Sequence, residues 1–414
     1  MGTKQSGKQI YKSTSKKSDI NINQTRQKSQ KSVNTPVCTV SKKCGACQLS
    51  NMDYTRQLNY KQAVVVKLLR RFGHVNKIIG MAYPYHYRNK AQYTVRKAGN
   101  GNLITGVYQS STGGIVATDD CFINDGKANE IARDIRKLMI SHKISPFNPQ
   151  NDRGLIRHIM VRKSSATGDY MVVLVCSSNE SKILSPLAEE LIKKHNEIKT
   201  IVLNVNKSSK MMLGSLEQPL YGNGFIEDIL CGKRFRISSK SFYQVNSVQT
   251  EVLYTTAIEY ANLTGKERVL DAYCGVGTIG LIASDKAKQV VGVELNSAAV
   301  LDAKENSALN NTQNTVFYNA DAAAFMREAA EVGDKFDVVM IDPPRAGCNR
   351  DFLQSLVSLS PSKVVYVSCN PQTLSRDLYF LVHNGYKAEK IQPIDMFPHT
   401  NHVECVVLMS RVKK

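Results

Sequence analysis

The chain has 414 residues, of which 42% are apolar and 22% are charged, an ordinary composition for a globular protein. Its 55 Lys and Arg outnumber 35 Asp and Glu, and the net charge of +20 favours a phosphate-rich partner such as nucleic acid. It contains no run of about 18 apolar residues and no apolar leader stretch, so we expect neither a membrane span nor a secretory signal. We therefore expect a cytoplasmic protein, whose ten cysteines are metal ligands, nucleophiles or packing residues instead of disulfides.

Residues 1–36 are rich in Ser, Gln, Asn and Lys, with eight Lys or Arg against a single acid, Asp19. With almost nothing to bury, this segment is predicted to be a disordered basic tail. It could be an arm that contacts RNA or only a leader.

Residues 37–235 alternate between helical and extended patterns, which predicts a mixed α/β domain. Helices are expected near 53–72, 127–142 and 185–197. The strand-like segments are AQYTVRK, RHIMVRK, YMVVLVCS and TIVLNVN.

Residues 236–414 contain apolar runs separated by helical stretches, the pattern of a doubly wound parallel sheet. The runs are VLDAYCGVGTIG, VVGVELN, FDVVMIDPP and VVYVSCN. The last two strands, YKAEKIQPID and HVECVVLMSR, are joined by a loop too short for a crossover, so they should pair antiparallel.

A glycine-rich turn follows the first of these strands. Gly275, Gly277 and Gly280 form G-x-G-x-x-G, and Glu294 ends the next strand 19 residues after Gly275. Glycines let a backbone approach a ligand closely, and the acid can accept hydrogen bonds from ribose hydroxyls. By itself the motif fits NAD, FAD or S-adenosylmethionine.

Three further details favour S-adenosylmethionine: Asp271 at the end of the first strand, Asp321 in NADAAAF, and the antiparallel terminal hairpin. This layout is similar to that of class I (Rossmann-like) methyltransferases. Near it, Asn246 followed by Gln249 indicates a helix start, and the amide of Gln244 could reach a ligand at the sheet edge, although from the pattern alone a polar loop residue is the more frequent explanation.

Three reactive side chains are expected at the same edge of this sheet. Asp342 and Cys369 each follow a parallel strand, and Glu404 begins the strand that returns from the terminal hairpin. Pro371 biases Asn370 away from helical conformation, which would leave the sulfur of Cys369 on a kink. A lone cysteine after an apolar run is more often packed than reactive, but the convergence of the three reverses that preference.

A cysteine and carboxylates beside a methyl donor suggest methylation of uracil. Carbon 5 of uracil is a poor nucleophile, and addition of a thiolate at carbon 6 makes an enolate that can attack a methyl group. Cys369 would be this nucleophile, and Glu404 would remove the proton from carbon 5 afterwards. Asp342 could bind the pyrimidine or the amine end of the donor.

Residues 239–410 resemble the RNA 5-methyluridine (uracil-C5) methyltransferase family, through the motifs FYQVN, DAYCGVGTIG, GVELN, NADA, IDPPRAG, VSCNPQTLSRD and HVE. The resemblance implies Cys369 as nucleophile and Glu404 as base. It also implies that Gln244, Tyr273, Glu294 and Asp342 line the S-adenosylmethionine site. Some members have Asn where this chain has Thr278.

Cys38, Cys44 and Cys47 form a C-x5-C-x2-C array, and Cys121 could be a fourth ligand 74 residues further on. Four thiolates suit either zinc or an iron-sulfur cluster, and the spacing does not choose between them. The array followed by Q-L-x-x-x-x-Y resembles the 4Fe-4S motif of the ribosomal RNA branch of the family. That resemblance implies a cluster and a 23S ribosomal RNA substrate.

The segment YPYHYRNKAQYTVRK, residues 83–97, interleaves four tyrosines with four Lys or Arg. Aromatic rings can stack on bases and cations can bind phosphates, so we expect an RNA surface here, although a strand with one solvated face would look the same. RNKAQ and GLIRHIMVR also resemble family segments. The tail is too short for the β-barrel RNA-binding module of many relatives, so RNA contacts should come from the central domain and could also come from the tail.

These patterns lead us to expect an α/β protein in which an RNA-binding domain with a 4Fe-4S motif precedes a class I methyltransferase domain. It would methylate a uridine of large-subunit ribosomal RNA, with no membrane association and no obligate protein partner. The alternatives are a transfer RNA target, transfer to cytosine C5 or to an amino group, and a non-catalytic RNA-binding scaffold.

Overall fold

The structure is a computed structural model that describes residues 38–109, 112–208 and 211–412. The tail predicted for residues 1–36 lies outside these ranges. The described chain begins with a short helix, α1 (Ser41–Cys44), followed by α2 (Tyr54–Leu69). None of the helices described is both long enough and apolar enough to cross a lipid bilayer.

A first sheet is formed by the middle of the chain. Its strands are β1 (Lys90–Lys97), β2 (Leu103–Tyr108), β3 (Ile115–Ala117), β4 (Ile156–Lys163), β5 (Tyr170–Cys176), β6 (Ile198–Val205) and β7 (Leu216–Tyr221). They lie in the order β3-β2-β1-β4-β5-β6-β7, and β5 and β6 pair in parallel. The four strand-like segments of the sequence correspond to β1, β4, β5 and β6.

Helices α3 (Gly126–Ser141) and α4 (Ser181–Lys194) cover one face of this sheet. Their apolar side chains, such as Ile131, Ile135 and Leu187, share a core with the odd-numbered residues of β1. The third predicted helix begins four residues earlier than expected, because Pro186 lies within its second turn without ending it.

The other face of the first sheet packs against a hairpin of β8 (Phe225–Leu230) and β9 (Lys233–Ser238). Phe235 of this hairpin shares one core with Met171 and Val173 of the first sheet and with the helix that follows the hairpin. A domain boundary at residue 235 would cut through β9. The division into two domains therefore stays a prediction, and its boundary would have to lie outside the hairpin.

The second sheet is built by the last part of the chain. Its strands are β10 (Arg268–Ala272), β11 (Gln289–Glu294), β12 (Thr315–Asn319), β13 (Val338–Ile341), β14 (Lys363–Ser368), β15 (Tyr386–Ile394) and β16 (Glu404–Arg411). The helices on its two faces are α5 (Ser247–Ala261), α6 (Thr278–Ala283), α7 (Ser297–Leu309), α8 (Ala322–Glu331), α9 (Arg350–Leu359) and α10 (Pro371–His383).

The strand order is β12-β11-β10-β13-β14-β16-β15. The first five strands are parallel, and β16 pairs antiparallel with both β14 and β15. This topology confirms the predicted doubly wound sheet with an antiparallel hairpin at its end. Helices cover both faces, so β13 is buried along its whole length, which explains why such strands read as continuous apolar runs.

The N-terminal part of the described chain packs on the second sheet. Val65 and Leu69 of α2 share a core with Ile391 of β15. After α2, the backbone N–H groups of Asn76 and Ile79 donate to β15 carbonyls at 2.9 and 3.0 Å. The sequence analysis assigned this segment to the first domain, because pairing between residues more than 300 positions apart leaves no local signal.

A buried ion pair fixes this arrangement. Lys61 of α2 donates to a carboxylate oxygen of Asp395 at 2.5 Å and to the carbonyl of Phe397 at 3.0 Å, and both charged side chains are fully buried. Tyr54 donates to the other carboxylate oxygen at 2.8 Å. Burial lowers the pKa of Lys61, while the charge of Asp395 opposes that shift. The carboxylate of Asp395 therefore helps to keep Lys61 charged in the interior.

Replacing Lys61 by Met would leave the carboxylate of Asp395 buried without its cation. We expect the free energy of unfolding to fall by about 3–5 kcal/mol, measured by urea denaturation followed by circular dichroism. Lys67→Met, on the exposed face of the same helix, is the control and should change it little. A Lys61→Met/Asp395→Leu double variant should recover part of the loss; an equal loss in both would show that packing of the lysine chain, and not charge, is responsible.

Candidate active site

A cavity of about 1050 Å³ opens at the carboxyl edge of the second sheet, beside β1 of the first sheet. Ligands bind at this edge in open parallel α/β sheets. Most of the residues predicted to form the site line this one cavity: Gln244, Tyr273, Thr278, Glu294, Asp342, Cys369 and Glu404. Segments that are far apart in the sequence thus meet at the carboxyl edge of the sheet, as predicted from the positions of the strand ends.

The glycine-rich turn joins β10 to α6. Gly277 has a φ of 82°, a left-handed conformation that favours glycine, and it precedes the first residue of the helix. The backbone N–H of Gly280 donates to Asp271 Oδ2 at 2.8 Å, and a Cβ on Gly280 would lie only 2.8 Å from the same oxygen. A side chain at this position would force the helix away from the strand.

Glu294 lies next to this turn at the end of β11. One carboxylate oxygen accepts the N–H of Gly275 at 3.2 Å, and the other accepts the N–H of Asn296 at 2.8 Å. A carboxylate oxygen can accept more than one hydrogen bond. The group is therefore held in place by the backbone and can still bind hydroxyl groups in the cavity.

Tyr273 has a φ of 65°, unusual for a residue with a side chain, and its ring stacks on Phe352 with 4.9 Å between centroids. Asp321 is not among the residues that line the cavity. It caps helix α8 by accepting the N–H of Ala324 at 2.9 Å, and its side chain is exposed. It lies near enough to contribute, after burial and Cys348, to the raised pKa of Tyr273.

The predicted helix start at Asn246 is confirmed, since its side chain accepts the N–H of Gln249 at 3.2 Å and caps α5. The same side chain donates to the carbonyl of Met396 at 2.9 Å. Just before it, the carbonyl of Gln244 accepts a hydrogen bond from Asn89 at 3.0 Å. The segment from Gln244 to Asn246 is thus held between the residue that precedes β1 and the loop that joins β15 to β16.

Cys369 lies between the end of β14 and the start of α10. Asn370 is extended, with φ −145° and ψ 101°, and it caps the helix that Pro371 begins. This agrees with the expected effect of the proline on the residue before it. The Asn370 side chain also donates to the carbonyl of Arg345 at 3.1 Å, a contact that the sequence analysis missed. It connects the loop of Cys369 to the loop of Asp342.

Glu404 is the first residue of β16 and is almost fully buried. In the pairing of β14 with β16, Ser368 lies opposite Cys405. Cys369 directly follows Ser368 and Glu404 directly precedes Cys405, so these two residues lie at adjoining strand ends. Cys405 itself is buried, as are Cys176 and Cys274.

The cavity favours protonated acids. Burial raises the pKa of Asp342 to about 7, and burial together with Asp342 raises that of Glu404 to about 8. Burial, Glu404 and Asp342 raise the pKa of Cys369 to about 11. Arg345 opposes the shifts of Cys369 and Glu404, and the sequence analysis missed this role although the residue directly follows the two prolines. Acids and thiols whose pKa values are shifted by burial and by neighbouring charges are frequent at catalytic sites.

The four predicted metal ligands lie in a second region, away from the residues that line this cavity. Burial raises the pKa of Cys47 to about 12, with further contributions from the nearby Cys121, Cys44 and Cys38. Cys38, Cys47 and Cys121 pack against a small apolar core that includes Phe122.

The four sulfur atoms are spaced more widely than the ligands of a single metal ion would be. Among the described residues, the one group of three ligand atoms all within 4.8 Å of one another is formed by Glu130, Asp134 and His195. Asp134 there already pairs with Lys137 and Lys194 at 3.0 and 2.8 Å, so that group is an ion-pair network. Zinc–sulfur bonds of about 2.3 Å would hold four thiolates about 3.8 Å apart.

The cysteine loops contact the loop that leads to Glu404. His399 of this loop accepts the N–H of Leu49 at its carbonyl at 2.9 Å, and its own N–H donates to Gln57 at 2.8 Å. The centroid of its ring lies 4.9 Å from the ring centroids of Tyr85 and Phe122. Its backbone has a φ of 69°. The strained backbone of His399 is therefore held from the cysteine side.

The tyrosine-rich segment is only partly a surface. Tyr83 is 56% exposed, but Tyr87 and Tyr93 are buried, and they donate to the carbonyl of Pro398 at 3.0 Å and to Asn129 at 2.7 Å. The prediction that all four tyrosines could stack on bases was wrong for these two. Tyr93 lies on the core side of β1, as strand alternation requires.

Relatives of known sequence match most of the chain. An uncharacterized RNA methyltransferase of Clostridium acetobutylicum is 43% identical over 387 residues, covering 92% of this chain and 84% of its own length. One of Bacillus cereus is 41% identical over 383 residues, covering 91% and 83%. These proteins extend the likeness across both sheets.

Among solved structures, the chain is similar to a tRNA (uracil-54, C5)-methyltransferase of Pyrococcus abyssi in complex with S-adenosyl-L-homocysteine. The TM-score is 0.74 at 28% identity, and the match covers 91% of this chain and 86% of the other. The similarity agrees with the class I methyltransferase fold that the second sheet displays.

The family model tRNA (Uracil-5-)-methyltransferase matches residues 53–412, which contain both sheets and the whole cavity. Together with these relatives, this match shows that the chain belongs to the tRNA (uracil-5-)-methyltransferase family, as an RNA methyltransferase that uses S-adenosylmethionine and acts on carbon 5 of uracil.

Proposed function

We propose that the chain methylates carbon 5 of a uridine in 23S ribosomal RNA, with Cys369 as the nucleophile and Glu404 as the base. The observation that supports these roles is their common position where the end of β14 meets the start of the antiparallel strand β16, in the lining of the cavity. The unpaired cysteines agree with a cytoplasmic location, which we also propose.

S-adenosylmethionine supplies an electrophilic methyl group in this reaction. We propose that it is held by Gln244, Tyr273, Glu294 and Asp342, with further contacts from Thr278 and Asp321. The cavity suits such a molecule because the turn at Gly277 brings the backbone close and Glu294 can accept hydrogen bonds from hydroxyls. Of these residues, Asp321 has the least direct support, since it does not line the cavity.

The reaction begins with attack of Cys369 Sγ on carbon 6 of uracil, which moves the electrons of the C5–C6 double bond toward carbon 5 and the neighbouring carbonyl. Carbon 5 then bonds to the methyl group, while the donor sulfur keeps the electron pair of the broken carbon–sulfur bond and leaves as a thioether; carbon 5 now carries both hydrogen and methyl. Glu404 removes that hydrogen as a proton. The electrons of the C–H bond restore the double bond and expel the Cys369 thiolate.

Cys369 must lose its own proton before it can attack, because its raised pKa keeps it a thiol at neutral pH. Glu404 can hold only one proton at a time. Glu404 must therefore be unprotonated, with the proton of the thiol elsewhere, by the time carbon 5 is deprotonated. Arg345 favours the charged forms of both groups and supports this sequence of steps.

Glu404→Gln should stop the reaction after methyl transfer, because nothing then removes the proton from carbon 5. We expect turnover to fall by about 100-fold or more and a covalent RNA–protein adduct to accumulate, seen as a shifted band on a denaturing gel. Cys369→Ala should form no adduct and show no transfer. Cys231→Ala, which removes another partly exposed thiol, is the control and should retain activity. Multiple turnovers by Cys369→Ala would contradict the mechanism.

The raised pKa of Glu404 predicts the dependence of turnover on pH. The carboxylate is protonated below its pKa of about 8 and becomes a base above it. Turnover limited by this step should therefore rise about tenfold per pH unit up to pH 8 and then level off. Steady-state rates between pH 6 and pH 9.5 would measure it. A rise that continues to pH 9.5 would instead assign the limiting step to ionisation of Cys369.

We further propose that Cys38, Cys44, Cys47 and Cys121 hold a 4Fe-4S cluster. Their thiols lie within reach of one another and are more widely spaced than a single tetrahedral ion would require. Methyl transfer needs no electron, so the cluster would act by holding the loops. The Gln48 side chain donates to the carbonyl of Gly45 at 2.8 Å within the array, and Tyr54 binds Asp395.

Ribosomal RNA is favoured by the cysteine array followed by Gln48, Leu49 and Tyr54, which resembles the motif of that branch. Transfer RNA is the second candidate, and it is favoured by the similarity to the archaeal enzyme, whose described substrate is position 54 of transfer RNA. Both candidates use the same chemistry at Cys369.

Anaerobically purified protein should contain about four iron atoms per chain and transfer labelled methyl groups to 23S RNA that lacks this modification. Transfer RNA that lacks 5-methyluridine, tested in parallel, should receive little label. Cys121→Ser should lose the iron, while Cys231→Ser should keep it. Label on transfer RNA alone would overturn the ribosomal assignment without affecting the proposed mechanism.

A further inference from the structure

One face of β1 presents a row of polar side chains. Lys90, Gln92, Thr94 and Arg96 alternate with residues that are buried in the core under α3. The first two line the catalytic cavity. The row thus begins at the catalytic cavity and continues away from it along the strand.

The neighbouring strand β4 extends this face. Its pairing places His158 opposite Thr94 and Met160 opposite Gln92, and residues directly opposite one another lie on the same face of a sheet. Gln92 donates to the sulfur of Met160 at 3.7 Å. The face is therefore continuous across the two strands.

A second recess, of about 410 Å³, lies on this face. The side chains that define it are Gln92, Thr94, Tyr108, His158, Met211 and Met212. Gln92 lines both this recess and the catalytic cavity. The two spaces therefore adjoin at a single side chain.

The walls of the recess suit a flat, uncharged ring with polar edges. Tyr108 is 52% exposed and Met211 is 67% exposed, so both offer apolar surface. His158 shares a hydrogen bond with Thr94 at 3.2 Å. Burial and the nearby Arg96 and Arg157 lower the pKa of His158 to about 4, so the ring is neutral at pH 7.

Cations lie on the side of the recess that faces the catalytic cavity. Lys90 and Arg88 both line that cavity, and among the described residues neither forms an ion pair with a carboxylate. Burial, Arg162 and Arg88 lower the pKa of Lys90 to about 8. Unpaired cations in a partly buried position favour an anion such as phosphate.

We propose that the recess is a second nucleotide subsite, which takes the unstacked base of a nucleotide adjacent to the target uridine, while Lys90 and Arg88 bind the phosphate between the two. The inference rests on uracil in RNA being the substrate of the catalytic cavity. Recognition of splayed single-stranded bases by aromatic and hydrogen-bonding side chains is the usual way in which proteins read RNA. In this proposal Gln92 and Thr94 of β1 contact the base, and Lys90 at the start of the strand binds the phosphate.

The test uses single-stranded RNA nonamers with one central uridine between adenosines, and versions that lack the base on its 5′ or its 3′ side. Binding is measured by fluorescence anisotropy without S-adenosylmethionine. We expect loss of the base on one side only to weaken binding to the unaltered protein by about fivefold to 100-fold. Loss on the other side should have little effect.

Tyr108→Ala should weaken binding of the intact nonamer by a similar factor and should abolish the penalty for the missing base. Tyr221→Ala, an exposed tyrosine on the opposite edge strand of the same sheet, should do neither. Intact binding by Tyr108→Ala, or an unchanged penalty, would overturn the subsite. Since no methyl transfer is measured, this failure is distinct from failure of the proposed function.

The phosphate contact has its own readout. Lys90→Gln should reduce the slope of the logarithm of affinity against the logarithm of salt concentration by about one. Lys97→Gln changes an exposed lysine on the other face of the same strand and should leave the slope unchanged. An unchanged slope in Lys90→Gln would remove the phosphate contact from the proposal.

Discussion

The buried ion pair between Lys61 and Asp395 joins residues 334 positions apart, and the geometry of the cavity depends on it. Asp395 follows β15, in the loop that ends at Glu404. Neither charge is stable in the interior alone, so α2 and this loop are held together. Helix α2 thereby fixes the position at which strand β16 begins.

The same loop is held from a second direction. His399 accepts a hydrogen bond from Leu49 on the cysteine side and donates one to Gln57 of α2, and its ring lies against Tyr85 and Phe122, next to Cys121. Asn246 of α5 binds the carbonyl of Met396 at the start of the loop. The loops that carry the four cysteines and the cavity at the sheet edge are therefore connected through this one loop.

The second sheet could be predicted because its strands are buried on both faces and leave continuous apolar runs, and Cys369 and Glu404 followed from where those runs end. The association of α2 with β15 could not, since it depends on pairing between distant segments. Tyr87 and Tyr93 were misjudged because composition counts aromatic residues without showing which side of a strand they occupy. The contact of Asn370 with the carbonyl of Arg345, and the effect of the Arg345 charge, were missed because each acts across to a neighbouring loop.

The antiparallel pairing of β14 with β16 also bears on how the family can change. Adjacent strands in a sheet lie about 4.8 Å apart whatever their side chains are. Cys369 and Glu404 are attached to the ends of two such strands, so main-chain hydrogen bonds set the distance between them. Substitutions of core residues among relatives can therefore lower the stability of the protein before they change the distance between Cys369 and Glu404.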